Sequence, residues 1–354
     1  MKKGSKPKVI SLYSGAGGLD IGLKRAGFDI AVALDFDHDS CETLRANFPD
    51  TAVLEGDITK ISTKKILEAG NLKKGEVDFL VGGPPCQPFS KSAFWNGSQG
   101  LKDPRAVTLR EYIRVLKETK PRAFLLENVF GLAYKNNQDA FEFLRGGFDK
   151  LGYEITYQVV NTAEYGVPQI RQRLIILGSQ KKRLEFPKTT HVDSSKNVGS
   201  GNLFAQKLVP FVTARQAFDG LRHFWRDTPK ELLVGGKWGH LLSEVPPGEN
   251  YLYFTRKRGH PNPLFEWRSR YWTFLLKLSP NKPSWTIQAQ PGPYVGPFHW
   301  ENRRLTFEEK KRIQTFPDNY KFAGKASSVQ RQIGNAVPAR LSEVLGMAVK
   351  EQLA

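Results

Sequence analysis

Short apolar runs alternate with amphipathic stretches through the first half of the chain. Residues 9–13, 30–34, 52–55, 77–81, 123–127, 154–160 and 173–178 have the length and content of strands. Between most of them, apolar positions recur at helical spacing, as in residues 19–26, 39–47, 106–118 and 138–151. Such alternation predicts an α/β fold built on a doubly wound sheet. From residue 188 to about 205 the chain turns polar and rich in Ser, Gly and Asn, which marks a boundary or long loop. Beyond it the alternation is lost, and Pro, Gly, Trp and Arg are frequent. A second, smaller and irregular domain is expected there. A helical pattern returns from Ser328 to the end. The expected division is a larger domain of residues 1–187 with 326–354, and a smaller one of residues 188–325.

Composition narrows the class. A chain of 354 residues, 40% hydrophobic and 25% charged, suits a soluble protein of two domains. No apolar stretch is long enough to span a bilayer. The basic start, Met1-Lys2-Lys3-Gly4-Ser5-Lys6-Pro7, has no apolar segment behind it, so no signal peptide is expected. Two cysteines make neither a disulfide framework nor a zinc site, and the six histidines lack metal spacing. The expected compartment is cytoplasmic, with no metal. Net charge is +18 and unevenly placed: residues 1–180 carry 25 Lys and Arg against 21 Asp and Glu, whereas residues 181–354 carry 28 against 14. A basic second half points to a polyanion, with nucleic acid ahead of an anionic membrane surface.

Four segments carry candidate chemistry. In Val81-Gly82-Gly83-Pro84-Pro85-Cys86-Gln87-Pro88-Phe89-Ser90, an apolar strand ends in two glycines and a cysteine fixed between prolines. Proline locks φ, so Cys86 sits on a stiff loop at a strand's carboxyl end, where open α/β sheets bind ligands. It reads as a nucleophile or as a small buried hydrophobe. Tyr13-Ser14-Gly15-Ala16-Gly17-Gly18-Leu19-Asp20 follows the first strand and opens the first helix, with Asp35 ending the second strand. A glycine turn at a helix start with a distal acid suits a nucleoside cofactor. The spacing departs from G-x-G-x-x-G, which weakens NAD and leaves S-adenosylmethionine; a turn needed only for packing is the bland alternative. Phe124-Leu125-Leu126-Glu127-Asn128-Val129 delivers a carboxylate to a strand end. Glu127 reads as an acid beside Cys86 if the fourth and fifth strands are neighbours, or as a helix cap. In Gln169-Ile170-Arg171-Gln172-Arg173, period-2 geometry puts Gln169, Arg171 and Arg173 on one face, for an anionic or carbonyl ligand or for solvent.

Taken together, these segments resemble the cytosine-5 DNA methyltransferases. The glycine-rich turn, Pro-Pro-Cys-Gln, Glu-Asn-Val and Gln-x-Arg-x-Arg occur in that family's order. So do a late Arg304-Leu305-Thr306, Gln314-Thr315-Phe316-Pro317 and the closing Gln332-Ile333-Gly334-Asn335-Ala336-Val337-Pro338. The resemblance implies a Rossmann-like, S-adenosylmethionine-dependent methyltransferase sheet with a smaller target-recognition domain. Cys86 would be the nucleophile and Glu127 the acid at cytosine N3. Arg171 and Arg173 would hold the flipped base. Tyr13, Gly15, Gly17, Gly18, Asp35, Phe36, Asp57, Ile58, Pro85 and Asn335 would line the cofactor site. Asp103-Pro104-Arg105-Ala106-Val107-Thr108-Leu109 stands where the family has Asp-x-Arg-Gly-x-Leu, and Tyr13 where phenylalanine is common.

The same resemblance implies duplex DNA as substrate, with the target base extruded into a pocket. Gln87, Ser90 and Ser92 would contact DNA from a polar loop, residues 90–105, long enough to close over that pocket. In the variable region, aromatic and basic residues interleave; Arg256, Arg258, Arg268 and Arg270 are expected on phosphates or guanine edges. Core packing is the expectation for each tryptophan. A monomer associated with the nucleoid through DNA, working beside a separate cognate restriction endonuclease, completes the picture. The rivals are a tRNA cytosine-5 methyltransferase, a non-catalytic DNA-binding relative and an NAD-binding protein with a structural cysteine. The RNA branch carries Cys-Phe-Thr in its recognition domain, and this chain has no cysteine after Cys86.

Overall fold

The computed structural model describes residues 6–85, 107–133, 138–194, 208–222 and 227–353. The first part runs β1 (Lys8–Leu12), α1 (Gly18–Arg25), β2 (Asp29–Asp35), α2 (His38–Asn47), β3 (Ala52–Glu55), α3 (Thr63–Ala69) and β4 (Phe79–Gly82). It continues with α4 (Val107–Thr119), β5 (Ala123–Val129), α5 (Gln138–Lys150), β6 (Glu154–Asn161), β7 (Gln169–Ile170) and β8 (Gln172–Ser179). Seven strands form one sheet in the order β3-β2-β1-β4-β5-β8-β6. Strands β1 to β5 pair in parallel, and β8 runs antiparallel to both β5 and β6. The order reverses between β1 and β4, so their carboxyl ends flank the crevice where such sheets bind ligands.

The central strands read as unbroken apolar runs because both faces are covered. Along β1, β4 and β5, successive residues enter opposite cores. Ile10, Leu80 and Phe124 pack with Tyr112, Val115 and Phe148 on one face. Val9, Phe79, Val81 and Leu125 pack with Leu341, Leu345 and Val349 on the other.

Between residues 188 and 325, the described structure is short and irregular. It comprises the paired β9 (His191–Val192) and β10 (Val209–Pro210), a helical turn α6 (Ala214–Ala217) and several 3₁₀ turns. β11 (Ser284–Trp285) pairs with β7. An aromatic core of Tyr251, Phe254, Phe265 and Phe274 stands in for regular layers; Tyr251 meets Phe265 edge-on at 5.7 Å. α7 (Phe307–Ile313) starts from a capping box of Thr306 and Glu309. Arg303, fully buried, grips the Glu309 carboxylate at 2.9 and 2.7 Å. This bidentate geometry is what a buried ion pair needs to offset desolvation.

Two differences from the sequence reading stand out. The closing helical pattern is two helices, α8 (Ala326–Asn335) and α9 (Ala339–Leu353), parted at Ala336-Val337-Pro338. Pro338 has no N–H to donate and bars Val337 from helical ψ. Phe316 and Tyr320, placed by sequence in the smaller domain, pack against Ala16, Ile21, Leu44 and Phe48 of the larger.

Asp20, in the first turn of α1, is fully buried, and burial pushes its carboxyl up to about 7 against the pull of the Ser11 hydroxyl and its own backbone N–H. A carboxyl raised on folding binds its proton more tightly in the native state. Stability from this group is therefore present below the unfolded value and lost as pH rises through about 7. Asp20→Asn should melt several degrees above wild type at pH 8 and lose that advantage near pH 4. A thermal scan showing the same difference at both pH values would refute the assignment.

Candidate active site

Register brings the key groups together at the carboxyl ends of β4 and β5. Gly82 pairs with Leu126, so the next residues, Gly83 and Glu127, lie abreast. A Cβ on Gly83 would stand 3.0 Å from Glu127 Oε2, which is why a glycine suits this position. Asn128, 1% exposed, donates from Nδ2 to the Pro84 carbonyl at 3.1 Å and so ties the root of the proline loop to β5. Pro85 ends the described part of that loop. Cys86, Gln87, Ser90 and Ser92 lie outside the described residues.

On the other side of β5, Arg173 Nε meets Glu127 Oε1 at 2.8 Å, with the two side chains 14% and 12% exposed. Antiparallel pairing of Val129 with Arg173 and of Glu127 with Ile175 sets both on one face. Arg171 is buried between β7 and β8; its backbone N–H donates to Asn161 Oδ1 at 3.3 Å. Gln169 faces neither solvent nor an open pocket. It is fully buried, donating to Gln314 Oε1 at 2.8 Å and accepting from the Ile287 backbone at 3.1 Å. The single-strand assumption fails because the run breaks at Arg171: β7 pairs with β11, whereas β8 pairs with β5 and β6.

Around the glycine turn, Tyr13 takes φ 55° and donates its hydroxyl to the Thr108 carbonyl at 2.7 Å. Burial, and then Glu111, push the phenol well above its ordinary range. Gly15, at φ 51°, donates its N–H to Asp35 Oδ2 at 2.7 Å. Asp35 also accepts from the Asp37 backbone at 2.9 Å; burial raises its pKa while these N–H bonds lower it. Each carboxylate oxygen keeps a further lone pair for a ligand hydroxyl. Gly17 caps α1 and Gly18 begins it, with the Gly18 carbonyl held by Ser342 Oγ at 3.1 Å. Tyr320 donates to the Ala16 carbonyl at 2.6 Å.

A Cβ on Gly15 would meet nothing within 4 Å, so open space lies before the turn. Phe36 is 71% exposed at the end of β2. Asp57 is exposed and accepts from the Thr59 backbone, which lowers its pKa; Ile58 beside it is buried. Asn335, exposed, ends α8. An uncovered aromatic, two acids and an open glycine turn are what a nucleoside ligand requires.

Sequence reasoning gave no role to Gln314 or to the side chain of Asn128. Gln314 is fully buried and donates to the Ile333 carbonyl at 2.6 Å and the Ala336 carbonyl at 3.3 Å. It bridges the Gln-x-Arg-x-Arg segment to the turn between α8 and α9. A glutamine within Arg-Ile-Gln-Thr-Phe was the available signal, but only burial shows its use.

Arg256, Arg258, Arg268 and Arg270 are all exposed; Arg258 pairs with Glu249 at 2.6 Å. The expectation that each tryptophan packs in a core is overturned: Trp272 is 51% exposed and neighbouring Tyr271 83%. Trp272 stands edge-on to Trp285 at 5.8 Å, and Trp285 pairs with Ile170, next to Arg171. Through Trp285, the exposed Trp272 therefore connects to the segment that carries Arg171. One group with metal-ligating atoms, His38, Glu42 and Glu55, occurs among the described residues; Arg45 neutralises both carboxylates, at 2.5 and 3.0 Å. No helix among the described residues is long and apolar enough to cross a membrane.

Known proteins resemble the chain along nearly its whole length. The family model for C-5 cytosine-specific DNA methylase matches residues 7–351. Type II methyltransferase M.SacI of Streptomyces achromogenes is 46% identical, over 98% of this chain and 93% of its own. Type II methyltransferase M.NgoFVII of Neisseria gonorrhoeae is 34% identical over 94% and 84%. Among solved structures, the S. pombe Dnmt2 methyltransferase superposes with a TM-score of 0.66 at 17% identity, covering 98% of this chain and 99% of that one. This last likeness speaks to the fold.

The Glu127–Arg173 pair should be measurable as a coupling. In a double-mutant cycle of Glu127→Gln and Arg173→Gln, urea unfolding is expected to give a coupling of about 1–3 kcal/mol. Additive single effects would mean that the contact contributes nothing.

Proposed function

The chain belongs to the C-5 cytosine-specific DNA methylases, and from that footing we propose how its residues methylate cytosine within a short duplex sequence. It is a DNA (cytosine-5) methyltransferase of the type II restriction-modification kind. One observation carries the residue-level reading: on the approach to Cys86, Gly83 lies abreast of Glu127 and Pro84 is tied to Asn128, while Glu127 is itself paired with Arg173.

Carbon 5 of cytosine is too weakly nucleophilic to attack a methyl sulfonium unaided. The Cys86 thiolate adds to carbon 6, and its electron pair flows through the ring toward N3. Glu127 delivers a proton at N3, so no full negative charge builds on the base. Carbon 5 becomes the nucleophilic end of an enamine. When bound, S-adenosylmethionine supplies the electrophilic methyl group that carbon 5 accepts. Departure of the carbon 5 proton to a base then regenerates the double bond and expels the Cys86 sulfur, and the N3 proton returns to Glu127. Arg173 keeps the Glu127 carboxyl turned toward the pocket, and Arg171 holds the base. The cofactor would lie before Gly15, with Phe36 on its adenine, Asp35 on its ribose and Asp57 on the adenine amino group. Tyr13, Gly17, Gly18, Ile58, Pro85 and Asn335 complete that wall.

Because chemistry on a stacked base is impossible, the target cytosine must leave the duplex, at a cost of about a few kcal/mol. Gln87, Ser90 and Ser92 would meet the DNA from the catalytic loop. Arg256, Arg258, Arg268 and Arg270, exposed as Tyr271 and Trp272 are, would meet it from residues 188–325, the proposed recognition domain. A monomer in the cytoplasm, with a separate endonuclease of matching specificity, fits this role.

Bisulfite sequencing of DNA from a methylation-free bacterial host expressing the chain tests the reading. Protected cytosines are expected at one short recurring sequence, with complete loss in Cys86→Ala. Glu127→Gln should slow methylation about 10²- to 10⁴-fold. Full conversion everywhere with soluble wild-type protein, or protection that survives Cys86→Ala, would defeat it.

A further inference from the structure

A cavity of about 220 Å³ lies between the segment after β11, the start of α7 and the start of α8. Its walls include Gln288, Phe298, Arg304, Lys310 and Gln330, with two cations and no carboxylate among the lining residues. Arg304 lies over the Phe298 ring at 6.0 Å and donates from one Nη to the Pro293 carbonyl at 3.0 Å, which leaves the rest of its fork available. Lys310 is half-buried, with Nζ 4.8 Å from the centre of the Phe307 ring. Among the described residues, no acceptor or carboxylate forms a hydrogen bond or ion pair with that amine.

An amine so placed is unfavourable without a counter-charge. Burial, and then Arg304, lower the Lys310 pKa to about 8, only partly opposed by Glu309 and Glu308. An anion between the two cations would reverse both effects at once. The volume is below the roughly 300–1,000 Å³ of pockets that enclose whole small-molecule ligands, and suits a phosphate with part of a sugar.

Position narrows the source of that anion. The wall residue Ile287 donates its N–H to Gln169 Oε1 at 3.1 Å, and Thr286 donates its hydroxyl to the Ile170 carbonyl at 3.0 Å, one residue from Arg171. Beyond Gln288, Ala289 packs against Gly334, beside Asn335. The cavity thus shares a wall with the residues that border the candidate active site.

We propose that the cavity seats one phosphate of the DNA backbone, gripped by Lys310 and Arg304. This anchor rests on the reading of the chain as a DNA methyltransferase. It positions DNA without reading sequence.

The test is anisotropy titration of the full chain against the duplex identified by bisulfite sequencing and an unrelated duplex, across a range of salt. Lys310→Met should weaken both duplexes by the same factor and reduce the log–log salt slope by about 0.9, one phosphate's share. From about 50 to about 200 mM salt, the variant should then lose roughly threefold less affinity than wild type. Arg304→Gln should act in the same direction, and Lys310→Arg should restore the slope, which separates loss of contact from loss of folding. Folded Lys310→Met and Arg304→Gln with the wild-type slope would overturn the anchor and leave the methylation reading intact. Inorganic phosphate that raises the wild-type melting temperature, with slopes unchanged in both variants, would assign the cavity to a free anion instead. Wild-type protein that neither binds nor methylates any duplex would overturn the functional reading and the anchor together.

Discussion

The site depends on β5 being held between a parallel and an antiparallel neighbour. Its pairing with β4 sets Glu127 abreast of Gly83, and its pairing with β8 sets Glu127 one step from Arg173. Strand side chains alternate, so a slip of one residue on either side would turn the carboxylate to the opposite face. The apolar runs on both faces of β5 forbid such a slip, because Phe124 and Leu125 would exchange cores. Packing energy spread through the sheet thus fixes the position of a single carboxylate.

A second layer of constraint is polar. Gln169 and Gln314, both fully buried, share a hydrogen bond and spend their remaining groups on the backbone of Ile287, Ile333 and Ala336. Breaking one such contact would strand a buried donor or acceptor, which costs about 1–3 kcal/mol. The pair therefore acts as a clasp between the strand that brings Arg171, the segment that follows β11 and the turn before α9. Arg303 and Glu309 do the same for the irregular part, where regular backbone pairing is sparse.

Much of this was legible in the chain. Parallel strands covered on both faces must be apolar throughout, so β1, β4 and β5 announced themselves. Glycine and proline at strand ends marked the loops, and Glu127 was expected beside Cys86 if the fourth and fifth strands were neighbours; β4 and β5 do pair. Where local pattern and tertiary pairing diverge, the reading failed. Nothing in Gln-Ile-Arg-Gln-Arg shows that β11, more than a hundred residues away, captures Gln169 and ends the strand at Arg171. Composition could not separate a tryptophan in a core from one on a surface, so the exposure of Trp272 emerged only with the fold. Nor could it show that Phe316 and Tyr320 pack beneath the glycine turn.

That last packing sets a schedule. The Ala16 carbonyl waits for the hydroxyl of Tyr320, and the Gly18 carbonyl for that of Ser342, partners 304 and 324 positions further along the chain. A ribosome makes the glycine turn first and its underside almost last. Until the segment from Tyr320 to Ser342 emerges and docks, the turn has no floor. The glycine turn is thus among the last parts of the fold to gain its full set of contacts.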